Sequence, residues 1–171
     1  MRAVAADAGV ALPTVELAFG TKARLLKAAI DTATAGDDEP VPMLDRDWAA
    51  RALATTAPAD FVAECARAVV DTAARAAGLA LVALEAARID DDIAVIAANL
   101  LAQRQVMATW LVDGLARRSP LRADEETAID TVWALMDPAL YRRLTHDRHW
   151  TPARFETWFA DAVLRLLVEP S

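Results

Sequence analysis

Apolar positions recur at helical spacing along almost the whole chain, and where the recurrence stops a glycine, a proline or a cluster of acids stands in its place. Arg2–Ala8 reads as a short helix ended by Gly9, which accepts positive φ at low cost. A second helix opens near Pro13 and ends at Gly20; a third runs from Thr21, its N-cap, to about Thr34, with Leu25, Leu26, Ala29 and Ile30 inward. The run Ala35-Gly36-Asp37-Asp38-Glu39-Pro40-Val41-Pro42 cannot continue a helix, so the boundary between head and body is placed at 36–46. A short helix is expected at Trp48–Thr55, stopped by Pro58. From Asp60 to about Ala76, Phe61, Cys65, Ala68/Val69 and Thr72 recur at helical spacing. Gly78 predicts a bend or break, and Leu79–Ala87, apolar on most sides, predicts a buried central helix.

Asp90-Asp91-Asp92 precedes a long helix to about Arg117, with Ile93, Ile96/Ala97, Leu100, Met107, Leu111 and Leu115 as its inner line; Arg117 and Arg118 complement its C-terminus and Pro120 ends it. Asp124 begins the next helix, with Ile129, Val132, Trp133 and Met136 on one side. Asp137-Pro138 should kink it before it resumes to Leu144. Thr151 caps a last helix, where Phe155, Trp158, Phe159, Ala162 and Leu166 form a wide apolar stripe.

The expected fold is therefore all-α, with a head over 1–35 and a helical-bundle body over 46–168. Composition supports a helical bias: 56 % of residues are apolar, alanine dominates and only 5 are glycine. The net charge of −7 is unevenly spread, with one surplus positive charge in residues 1–34 and −8 in the rest. Such a chain meets a polyanion through one end only. The single cysteine, Cys65, excludes an intrachain disulfide and is read as a buried apolar residue in a reducing interior. No signal peptide is evident, and the apolar stretch 78–87 is too short to span a bilayer.

Helix, tight glycine turn and helix make a helix-turn-helix pattern. Gly9-Val10, Pro13-Thr14, Phe19, Gly20, Lys22 and Leu25-Leu26 stand in an order that resembles the DNA-binding head of the tetracycline-repressor family. The downstream chain is similar to that family's ligand-binding and dimerisation domain, in an actinobacterial style. The resemblance implies a cytoplasmic, ligand-responsive regulator, acting as a homodimer on a palindromic operator. It also implies that Leu12, Pro13, Thr14, Glu16 and Leu17 face the major groove while Thr14 and Lys22 approach phosphates. Chemistry supports Lys22 directly, because an ammonium in the first turn of a helix and that helix's free N–H groups can hold one phosphate. Thr14 offers a hydroxyl, and Glu16 can accept from a cytosine amino group. Glu16 and Ala18 stand where the family usually has Tyr, and Tyr or His. The head is expected to lack the family's first helix, which would leave it frayed and poor at binding DNA. The alternative reading is a dimeric, small-molecule-binding helical protein of the same family that no longer binds DNA.

In the body, a mostly apolar cavity is expected between the helices carrying Phe61, Leu84, Leu100, Met107 and Trp110, with Arg88 and Arg104 as polar handles for an apolar or weakly polar effector. The stripe on the last helix and the apolar side around Ile129 and Trp133 predict a two-fold dimer through Ile129, Trp133, Phe155, Trp158, Phe159, Ala162 and Leu166. No enzyme chemistry, cofactor or metal is expected. The two serines sit in no nucleophile elbow, there is no phosphate loop, Asp90–Asp92 read as a helix cap, and His146 and His149 lack a convergent third ligand.

Overall fold

The computed structural model describes residues 1–37, 39 and 41–169. It is all-α, with helices α1 (Arg2–Asp7), α2 (Leu12–Phe19), α3 (Lys22–Ala35), α4 (Asp47–Ala54), α5 (Pro58–Ala86), α6 (Asp91–Ala116), α7 (Glu125–Leu135), α8 (Pro138–Arg142) and α9 (Pro152–Leu167). A 3₁₀ turn at Met43–Asp45 precedes α4, and one π turn at Arg143–Asp147 follows α8. Asp38 and Pro40 of the predicted boundary lie outside the described residues.

The expected caps form. Thr21 accepts from the backbone N–H of Arg24, Asp90 from Ile93, Asp124 from Thr127 and Thr151 from Arg154. Each satisfies one of the free N–H groups that a helix start leaves without a partner. The aspartates at 90–92 are thus a cap followed by two acids in a first helical turn. Between α1 and α2, Gly9 at φ 66° donates to Ala6, while Val10 donates to Ala5 at 3.0 Å. This paired closure of a helix end needs a left-handed residue, which glycine supplies.

Helix α5 is the axis of the body, packing against α3, α4, α6, α8 and α9. Two expectations are corrected on it. Gly78 does not break it: the helix runs 29 residues through that position. Its 79–87 end is not buried on all sides. Only Ala83 is sealed there, while Val82 is 53 % exposed. The reason is that α3 and the start of α6 cover this end on the side of Ala83, and Val82 stands outside that contact. There Ala83 joins Ala23, Ile30, Ile93 and Ile96 in a small second core.

The main core gathers Phe61, Val62, Cys65, Leu111, Leu115, Phe155 and Phe159 with their neighbours. Gly114 allows its closest approach: a Cβ there would lie 2.2 Å from Phe61 Cζ. On Phe61 sits the Arg118 guanidinium, 4.2 Å from the ring centroid. Arg118 does more than complement its own helix, because it also donates to the carbonyls of Ala52, Leu53 and Thr55 at the end of α4.

Candidate functional site

The head presents α2 as an outward ridge. Val15 alone on it is buried, Leu12 and Phe19 are half-buried, and Pro13, Thr14, Glu16 and Leu17 are exposed, Leu17 by 91 %. Lys22 is exposed in the first turn of α3, beside Thr21 and the start of that helix. Arg24 stands next to it, with one Nη 3.9 Å from where a Cβ on Gly20 would be. Lys27 is paired with Asp31 one turn further on. Five of the six residues expected to meet DNA are therefore open to solvent, and Leu12 is half turned into the head.

Of the residues expected to line an effector cavity, Phe61, Met107 and Trp110 meet in the main core, and Leu84, Arg88, Leu100 and Arg104 lie elsewhere. Phe61 is fully buried against Gly114, Arg118 and Trp110, so the space between α5 and α6 there is filled by side chains. Met107 and Trp110 pack on the same core, and Leu100 belongs to the second core with α3. Leu84 and Arg88 lie with Leu81 and Glu85 on an open patch of about 450 Å³ at the end of α5. Arg104 has its own partners: it donates to Asp137 at 2.7 Å and lies 3.6 Å over the Trp133 ring. Its Nε is buried without an acceptor. Burial pushes the Asp137 carboxyl up, but Arg104 and the Ala139 N–H pull harder and hold it below the ordinary value.

A groove of about 600 Å³ opens elsewhere, between the segment leading into α4 and the outer side of α5. One wall is the helical row Glu64, Arg67, Ala68, Asp71, Thr72 and Arg75, at steps of three and four. The other carries Val41, Met43, Arg46, Trp48 and Arg51 with the acids between them. Arg46 clamps the segment by two bonds to Asp37, at 2.7 and 2.9 Å, and by bonds to the carbonyls of Val41 and Glu39. That clamp holds the Asp37 carboxyl down at about 2. Arg75 donates to the carbonyls of Ala33 and Thr34 and so ties the end of α3 to the body. Trp48 stands edge-on to Trp110, ring centroids 5.4 Å apart, and its Nε1 is buried without an acceptor.

Comparison with protein-family models, with curated proteins and with solved structures finds no match to this chain.

The groove was missed in the sequence because attention to apolar periodicity passes over a charged row. The signal was present as alternating charge at Glu64, Arg67, Asp71 and Arg75. Among the dimer candidates, Phe155 and Phe159 are taken up by the protomer's own core. Ile129, Trp133, Trp158 and Ala162 are half-buried, and Leu166 is 52 % exposed. Cys65 is sealed in the core, where burial pushes its thiol up to about 12, far from the thiolate that reactivity requires. His146 and His149 are exposed, and His146 contacts Asp147. Among the described residues no helix is long and apolar enough to cross a membrane.

Proposed function

We propose that the chain is a ligand-responsive transcriptional regulator of the tetracycline-repressor type, with α2 as the helix that enters the major groove. One observation carries this reading. The ridge of α2 exposes Pro13, Thr14, Glu16 and Leu17 beside the start of α3, where Lys22 stands free of any ion pair among the described residues. A helix start with an ammonium beside it suits a backbone phosphate, and a protruding helix next to that phosphate suits a groove. The regulator would work as a two-fold dimer through the half-exposed faces around Ile129 and Trp133 on α7 and Trp158, Ala162 and Leu166 on α9. An effector would act by binding one spacing of the two heads better than the other. The test is selection of duplexes from a random pool, followed by gel shifts at two salt concentrations. A palindrome with half-sites about one helical turn apart should be enriched, with affinity that falls steeply as salt rises. Lys22→Ala should weaken all sequences alike, and Glu16→Gln should change which sequences bind. A pool that enriches nothing sinks the DNA reading, and sedimentation as a monomer at micromolar concentration sinks the dimer.

A second reading, a dimeric ligand-binding protein without DNA, draws on Glu16 and the apolar Leu17 sharing that outward ridge. An acid there repels phosphates, and an exposed leucine suits a protein surface better than a charged one. The same gel shifts separate the two readings.

A further inference from the structure

We propose that the groove between α5 and the segment leading into α4 binds an organic cation with an apolar body. Its volume, about 600 Å³, lies within the usual range for small-molecule sites. What decides the chemistry is which of its charges are already engaged. The four arginines all have acceptors. Arg46 is held by Asp37 and two carbonyls, Arg75 by the carbonyls of Ala33 and Thr34, and Arg51 and Arg67 share Glu64 at 3.3 and 2.7 Å. The carboxylates are not so matched. Glu39, Asp45, Asp47 and Asp71 line the groove with no ion pair among the described residues. Among the described residues six acids therefore face four bases, and the unmatched groups are acceptors. An anion would meet arginines already bonded to carboxylates or, at Arg75, to carbonyls, and it would meet the surplus negative charge as well; a cation finds carboxylates waiting in the same cleft.

The apolar part of the ligand follows from Trp48, Val41, Met43 and Ala68, which line the same space. Trp48 is braced by Trp110, itself packed on Phe61, so the aromatic wall is fixed to the main core. An aromatic face beside carboxylates suits an ammonium that carries hydrocarbon. The groove also touches Ala35 at the end of α3, and Arg75 joins it to that helix. Occupancy would thus be felt where the head is tied to the body.

This deepens the ligand-responsive part of the function proposed above. It is tested without DNA, so failure of an operator search and failure of the groove are told apart. The full chain is titrated calorimetrically with benzyltrimethylammonium at low salt, and with benzenesulfonate as an anion of similar size. The cation should bind saturably and the anion should not. Asp71→Asn should weaken the cation roughly tenfold, while Asp130→Asn, on the exposed side of α7, should leave it unchanged. Hydrogen exchange should slow in 41–51 and 64–75 when the cation is bound. The groove assignment is overturned if the cation fails to saturate in the millimolar range, if the anion binds as well, if Asp71→Asn binds like the parent, or if protection appears only outside those segments.

Discussion

In the body, Phe61, Phe155, Phe159, Leu111 and Leu115 are each sealed from water; in α1 to α3 the buried side chains are Ala5, Val15, Ala23 and Ile30. The first set removes five large side chains from solvent, each worth on the order of 2 kcal/mol; the second holds two of that order, Val15 and Ile30, and two alanines worth fractions of it. Helix α1 packs on α2 and α2 on α3, and α3 packs on the body through Ile30, Ala23 and the Arg75 bonds. A rigid scaffold therefore carries a lightly anchored outer unit. The surface proposed for recognition lies in the part of the molecule with the least core of its own, where local opening costs least.

That contrast breaks first at Gly114. Its position under the Phe61 ring leaves no room for a methyl group, so Gly114→Ala should cost about 3 kcal/mol through overpacking, and head and body should unfold together. Thermal or urea unfolding measures it. The shorter ring-free Phe61→Leu should recover part of the loss in the double variant, and a cycle without that coupling means the ring moves aside freely.

Ile30→Ala sharpens the contrast from the other side. Ile30 is 2 % exposed and anchors α3 to the second core. Its truncation should cost about 2 kcal/mol, with the loss confined to the outer unit. Amide exchange should speed up in α1 to α3 while α5 and α6 keep their protection. Uniform loss of protection in all helices would mean that head and body are one cooperative unit.

Arg104→Met probes the body alone. It removes the Asp137 bond and the guanidinium over Trp133 while keeping an unbranched apolar stem. Breaking a wholly buried pair costs more, but Asp137 keeps some contact with water, so about 2 kcal/mol is expected. The pH dependence has a definite sign. Asp137 is held below its ordinary value of 3.8, so its contribution is present above that pH and fades as pH falls through the lowered value. Acid titration of parent and variant should show the stability gap closing below about pH 4. A gap independent of pH would assign the loss to packing on Trp133.

Much of this was legible in the chain itself. Thr21, Asp90, Asp124 and Thr151 announce helix starts because the short-range chemistry of a cap needs nothing distant. The inner line of α6 is likewise local periodicity. What periodicity cannot supply is which partner covers an apolar face. The stretch 79–87 reads as buried, yet Val82 faces water because the second core packs on the Ala83 side of the helix. The same limit applies to the effector cavity. Phe61, Met107 and Trp110 point inward as expected, but only the glycine at 114 lets α6 come close enough to close the space. Arg118 shows it for charge: its carbonyl partners on α4 lie more than sixty residues away in sequence.

The smallest expected effect lies at Gly78, and it tests the same reading of α5 with the opposite sign. A glycine inside a helix loses more backbone freedom on folding than an alanine would, and it exposes the backbone to water. At Gly114 that cost is offset by the packing it permits. At Gly78 nothing offsets it, since the position is exposed and a Cβ would meet no atom within 4 Å. Gly78→Ala should therefore stabilise the chain by about 0.5–1 kcal/mol, with the slope of urea unfolding unchanged. The same one-methyl substitution in two neighbouring helices then moves stability in opposite directions, by amounts set only by what stands over each glycine. A destabilised Gly78→Ala would mean that α5 does bend there in solution, and that the continuous helix joining the main core to the α3 anchor is not the resting form.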